Sequence, residues 1–474
     1  MSNQASGPPP AAKPPAGTTA VPVHGAVIAR LEQLTGTPMQ IRARIMVGAA
    51  TFFDGFDVIS IAAVLPLLIR QWSLTPWQIG FLLSAGAGGQ LIGALLFPLL
   101  AERWGRIRAI TLSSGLTGLL SIGCALTDHY GLFMLLRFLQ GIGLGGELPV
   151  AASYINEIIR AEGRGRFVLM YETIFPLGLL SSMALSTWLV PTYGWHSMYW
   201  VGGLPLLIAV SLPWLVPESP RWLAGRGRLA EAGQALTRLE RAVAEAEPVA
   251  LDPARVASFQ HLLDTQVSRR ARDLFRPDYL RRTLVVATIW ITCGVLQYGL
   301  SSWLPTIYRE VYHAPLRLAL NLAVAGSVSS LLGSLASALL VDAVGRKPVI
   351  VHSFLGCTLS LVLAGLFRHE SVYLVAGLCA LALGLMSCGF LTAYVYTPEQ
   401  YPTSIRAIGA GLGGAWLKIA SLGAPLVISG AMQHGHLGPA FYGLALVPLL
   451  AAVAVWGYGI ETRGQVLEQL EIRR

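Results

Sequence analysis

Charge is scarce in this chain. Asp, Glu, Lys and Arg make up 12% of its 474 residues, about half the share in an ordinary soluble domain. A water-facing surface for a fold of this size needs more, so a soluble globule is excluded. Lysine is nearly missing: 31 of the 34 basic residues are Arg, a bias that points to a GC-rich bacterial genome and not to an activity. The five cysteines (Cys124, Cys293, Cys357, Cys379, Cys388) all fall inside apolar stretches. They have neither metal-ligand spacing nor a loop-to-loop disulfide pattern, so they read as small packing residues and no metal is expected. GxSxG, HExxH and phosphate-loop motifs are absent, which leaves an enzyme reading without support and implies no cofactor. The first 25 or so residues, rich in Pro, Ala and Gly, lack the basic and apolar regions of a cleaved signal. They read as a disordered cytoplasmic tail.

What the chain has is apolar length. It is 54% hydrophobic, with a mean hydropathy of +0.59. A bilayer core needs roughly 20 apolar residues per helix. That ruler predicts spans at 45–70, 76–100, 107–126, 130–157, 165–190 and 197–217, then at 283–307, 317–341, 348–367, 371–396, 405–430 and 438–459. The net charge of +9 is spread in short Arg runs between spans, the pattern of cytoplasmic loops and not of a nucleic-acid surface. The stretch 218–282 is rich in Arg and Glu at helical spacing and reads as a cytoplasmic amphipathic linker. The expected organisation is therefore a tail and helix entry over 1–44, six helices over 45–217, the linker over 218–282, six helices over 283–460, and a tail over 461–474. The predicted fold is an all-α membrane protein of twelve transmembrane helices in two pseudo-symmetric six-helix bundles. It would lie in a bacterial inner membrane with both termini cytoplasmic, surrounded by lipid and expected to be monomeric.

An internal repeat supports the two halves. GluArgTrpGlyArgIleArg (102–108) follows the second span, and AspAlaValGlyArgLys (342–347) follows the eighth. Their glycines, Gly105 and Gly345, lie 240 residues apart, as do Arg166 and Arg406 after the fourth and tenth spans. These loops resemble the loop motif of the major facilitator superfamily, with Pro98 and Ala338 replacing its leading glycine and Glu102 its first Asp. Parallel halves are a known transporter plan. ProGluSerProArgTrpLeu (217–223) and GluThrArgGly (461–464) resemble the sugar-porter and organic-ion branches. That resemblance implies a conformational charge network of Glu102, Arg103, Arg106, Glu157, Arg166, Glu218, Asp342, Arg346, Glu399, Arg406 and Glu461. GlyLeuGlyGlyGluLeuProValAla (143–151) is similar to nicotinate transporters, and AspGlyPheAsp (54–57) to aromatic acid–proton symporters. The resemblance implies alternating-access import of a small anionic aromatic substrate with protons. A sugar or other organic-ion transporter, and a substrate-binding membrane sensor without turnover, are the alternatives.

Charged residues at membrane depth are costly and mark function. Asp54 and Asp57 share one face of the first helix by their spacing. By resemblance to proton-coupled sugar porters, Asp57 carries the coupling proton with Arg137 of ArgPheLeuGlnGly as its partner; Asp54 is the alternative. Glu147, among glycines of the fourth helix, reads as a structural or coupling residue. Glu172 matches a cavity-facing Gln of sugar porters and reads equally as a ligand residue or as a carboxylate satisfied between helices. GlnTyrGlyLeu (297–300) resembles organic-ion transporters and makes Gln297 and Tyr298 candidate ligand contacts, with Trp303 and Tyr394 as further ones. Lys418 stands seven residues before Pro425, where organic-ion carriers place an acid for cations and Arg for anions. A basic residue there implies an anionic substrate.

Overall fold

The computed structural model describes residues 23–34, 37–159, 171–240, 271–401, 405–433 and 437–463. Among them there is no strand, and eleven helices are long and apolar enough to cross a membrane. The twelfth crossing helix, Tyr130–Ile158, falls outside that set because Arg137 and Glu147 interrupt its apolar run. It is nevertheless 29 residues long, about 43 Å at 1.5 Å per residue.

The first span is Pro38–Trp72 and begins seven residues before the expected start at 45. Thr37 and Gln40 account for this. The Gln40 side chain accepts from the Thr37 amide at 2.8 Å, and the Thr37 hydroxyl accepts from the Gln40 amide at 3.1 Å. This reciprocal cap, with Pro38 at the first helical position, starts the helix where hydropathy alone does not. Within the expected tail and helix entry over 1–44, residues 1–22 lie outside the described residues, and Val23–Gln33 forms a helix of its own. Its Val27 and Leu31 pack with Trp222, Leu223, Leu236 and Leu239 of the central segment. Arg30–Glu240 and Arg221–Glu32 ion pairs, each at 2.6 Å, hold the edges. The amphipathic helix Leu229–Glu240 thus has its apolar face covered by the N-terminal helix; linker residues 241–270 lie outside the description.

The second and fourth spans, Pro76–Trp104 and Tyr130–Ile158, touch backbone to backbone. A Cβ on Gly89 would lie 1.9 Å from the Phe138 carbonyl oxygen, and one on Gly145 would lie 2.0 Å from that of Gln90. Small residues allow this approach, which drives helix association where lipid supplies no hydrophobic force. The eighth and tenth spans, Leu316–Ala343 and Val372–Glu399, meet in the same way at Gly333 and Gly384.

The two halves meet at the end opposite the Arg-rich loops. There the Ser84 hydroxyl donates to the Leu422 carbonyl at 2.8 Å, the Ser429 hydroxyl donates to the Pro76 carbonyl, and Arg70 faces Glu310 at 3.8 Å. The seventh span runs over Tyr279–Val311, beyond its expected limit at 307. Its α-helical hydrogen bonding gives way to π turns at Val295–Leu300 and Ile307–Val311. Such a bulge inserts a residue into the helical register and recurs at functional sites.

Candidate functional site

At the Arg-rich end, the two repeat loops build the same structure twice. Gly105 and Gly345 both have φ of 110°, in the region that favours glycine. Each starts a helix whose first N–H groups point at a carboxylate. Glu218 accepts from the amides of Arg106 and Ile107 at 2.9 to 3.2 Å, and Glu461 from those of Arg346 and Lys347 at 3.0 and 3.1 Å. A carboxylate at a helix N-terminus satisfies orphan donors and complements the helix dipole. Burial pushes the Glu218 carboxyl above its usual range, and the hydrogen bonds from Ser219, Ile107 and Arg106 oppose that shift. Arg106 then bridges Glu102 at 2.7 Å and Glu157 at 2.8 Å, while Arg346 bridges Asp342 at 3.0 Å and Glu399 at 3.2 Å. Arg103 is exposed and joins no ion pair among the described residues. Arg166 and the Arg406 side chain lie outside the described residues. Among the described residues, each charge set stays within its own half.

Midway along the first span, Asp57 is joined by the fourth span's Arg137. One guanidinium nitrogen donates to both Asp57 oxygens at 2.7 and 2.8 Å, and the Gln140 amide adds a bond of 2.9 Å. The Tyr199 ring covers the guanidinium at 5.7 Å. This buried pair is the one expected from the sequence; Gln140 and Tyr199, its supports, were not singled out there.

Asp54 is placed differently. It is 5% exposed and makes no hydrogen bond among the described residues. Its electrostatic neighbours are Glu147, Lys418 and Asp57. Glu147 accepts from the Thr51 hydroxyl at 3.0 Å, and Thr51 also bonds the Tyr171 hydroxyl. Glu172, 6% exposed and likewise without a hydrogen bond among the described residues, lies in electrostatic range of Glu147 and of Tyr394 from the other half.

Lys418 closes this region from the eleventh span, Arg406–Gln433. Its ammonium donates to Gln90 Oε1 at 2.6 Å and approaches the Tyr298 hydroxyl at 3.4 Å, lying 5.4 Å from the centre of that ring. Gln90 was missed in the sequence, where its only signal is one amide in a run of glycine and aliphatic residues. Tyr394 is in electrostatic range of Tyr298, with Trp290 and Phe390 edge-on at 5.0 and 5.3 Å. Two further expected ligand residues remain. Gln297 lines a small cavity between the halves with Ile59, Met183, Leu304 and Ser327. Trp303 is packed in the core at 1% exposure, with its indole N–H unpartnered among the described residues.

Lys418 and Tyr298 of one half thus meet Gln90 of the other directly, with Asp54, Glu147, Glu172 and Tyr394 in electrostatic range of one another or of this pair, so a cation, carboxylates and aromatic rings are gathered between the halves. The niacin transporter NiaP of Acinetobacter baylyi is 31% identical over 94% of this chain and 99% of its own length. A gallate transporter of Pseudomonas putida is 32% identical over 84% of this chain and 87% of its own. Among solved structures, the xylose transporter XylE of Escherichia coli in a partially occluded inward-open conformation superposes with a TM-score of 0.74. It is 19% identical and covers 90% of this chain and 99% of its own. The profile of the sugar (and other) transporter family matches residues 45–473. This chain, with its twelve membrane helices and doubled loop network, belongs to that family of major facilitator superfamily transporters and is not an enzyme.

Proposed function

We propose that this transporter imports a small aromatic monocarboxylate, nicotinate foremost, together with a proton. The observation that carries the reading is Lys418, a buried cation held by a neutral amide and a phenol at the meeting of the halves. A carboxylate leaving water loses hydration worth several kcal/mol, which a buried cation and hydrogen bonds must replace. Lys418 supplies one positive charge and three donors, and Tyr298 offers a ring face to an aromatic acid. The names of the niacin and gallate transporters point the same way.

Proton coupling follows from charge balance. Asp57 already has Arg137 as its counter-ion. Asp54 has only the more distant Lys418. When a substrate carboxylate takes Lys418, Asp54 loses its compensating cation and takes up a proton to remain buried. Substrate and proton therefore enter together. The halves then rock, and the Glu157–Arg106 and Glu399–Arg346 sets remake their contacts. The positive-inside rule places the Arg-rich loops and both termini in the cytoplasm of a bacterial inner membrane. From the halves being joined at the far end we infer an inward-facing conformation.

Purified protein in liposomes preloaded with unlabelled nicotinate tests the reading. Labelled nicotinate should be drawn in by exchange, and excess nicotinamide, which has the ring without the charge, should not compete. Absence of exchange, or equal competition by nicotinamide, would contradict it.

A further inference from the structure

Two buried acids, Glu147 and Glu172, have no task in the mechanism above. Glu172 is 6% exposed and makes no hydrogen bond among the described residues, an expensive state for a carboxyl group. Its electrostatic neighbours come from both halves: Glu147 and Tyr171 from its own and Tyr394 from the other. Glu147 is itself bonded to the neutral Thr51 hydroxyl, so it brings no cation to Glu172. Tyr394 leads to Tyr298, and Tyr298 to the Lys418 ammonium at 3.4 Å. A run of neighbours thus leads from the Lys418 cation through Tyr298 and Tyr394 to the unsatisfied Glu172 carboxyl.

We propose that Glu172 is a specificity residue that binds a basic nitrogen of the substrate, opposite the carboxylate held by Lys418. The substrate class narrows to small planar acids with a hydrogen-bonding nitrogen at the far edge of the ring. In such a complex the ring lies along Tyr298 and Tyr394. One proton is shared between the ring nitrogen and the Glu172 carboxyl, so both buried groups are satisfied whichever partner holds it. A purely carbocyclic acid of the same shape leaves Glu172 without a partner. A site built around a hydrogen bond rejects the analogue that lacks it, because the protein's own polar group is then stranded. This inference rests on the proposed carboxylate site and adds the second pole.

Nicotinate and benzoate differ by that nitrogen alone, and their dissociation constants on the purified full-length protein decide the matter. The parent should bind nicotinate at least roughly tenfold more tightly than benzoate, the scale of one charge-assisted hydrogen bond. Glu172→Met fills similar volume without a polar group and should bring the ratio close to one. Lys418→Ala should weaken both acids by similar factors and leave the ratio in place. A parent that binds both acids equally overturns the proposal, whether or not the Met variant folds. So does a strong nicotinate preference that survives Glu172→Met. A parent that binds neither acid sinks the carboxylate site itself, an outcome distinct from the other two.

Discussion

The clearest physical demands fall on two buried cations. Arg137 has Asp57 as its ion-pair partner, and one of its nitrogens, Nε, is unpartnered among the described residues. Asp57→Asn removes the counter-ion and strands the guanidinium, which should cost about 3–5 kcal/mol of stability. The check is the unfolding midpoint in detergent; an unchanged midpoint would show that the pair is not structural. Lys418 is held by neutral partners, so its removal leaves no protein charge paired to it directly. Lys418→Ala should instead weaken nicotinate binding by about 2–5 kcal/mol, the usual loss when one partner of a buried charge contact is removed. Lys418→Arg should retain part of the affinity, since the charge remains while the geometry changes. Calorimetric titration of the purified variants reads both. These residues were legible in the sequence because charge inside an apolar helix is rare and requires a partner. Gln90, Thr51 and Tyr171 were not, since neutral polar residues are common in these helices. Nothing in the numbering says that Gln90 faces Lys418 across 328 residues. Nor does composition show that Gln297 and Tyr298 sit in a π turn.

Among elements, the second and fourth helices depend on backbone contact and not on side-chain bulk. Gly145→Val would force a side chain onto the Gln90 carbonyl, whose oxygen would lie 2.0 Å from the new Cβ. The helices must then separate, and Gln90 with them, so binding at Lys418 should fall along with stability. The expected destabilisation is about 1–3 kcal/mol or more, as for other overpacked sites. Gly377 in the tenth span has nothing within 4 Å, and Gly377→Ala should be tolerated. Thermal unfolding of the two variants side by side separates close approach from a general intolerance of substitution; equal behaviour would contradict the packing argument. Hydropathy located the twelve crossings because bilayer thickness imposes a minimum apolar length. It did not locate their ends, which caps decide. Thr37 and Gln40 extend the first helix beyond its apolar region, and Val23–Gln33 folds only because the central segment offers it an apolar face. The loop carboxylates were legible as a repeated pattern, but their bonds to the helix N-termini required the backbone to be seen.

On the scale of the whole molecule, two similar halves close on each other at one end and carry separate charge sets at the other. Lys418 and the carboxylates near it are buried between those halves. Sequence repeats revealed the halves, whereas the conformation depends on contacts such as Ser84 with Leu422 that no motif marks. The central claim is that an aromatic carboxylate and a proton cross together, with Asp54 taking the proton when substrate occupies Lys418. The most direct test is the external pH of a lightly buffered suspension of proteoliposomes when nicotinate is added. The account predicts alkalinisation beyond that of protein-free vesicles, abolished by a protonophore and missing in Asp54→Asn, which should still exchange nicotinate. Protein-dependent entry of nicotinate with no accompanying alkalinisation, or full alkalinisation by the Asn variant, would contradict it.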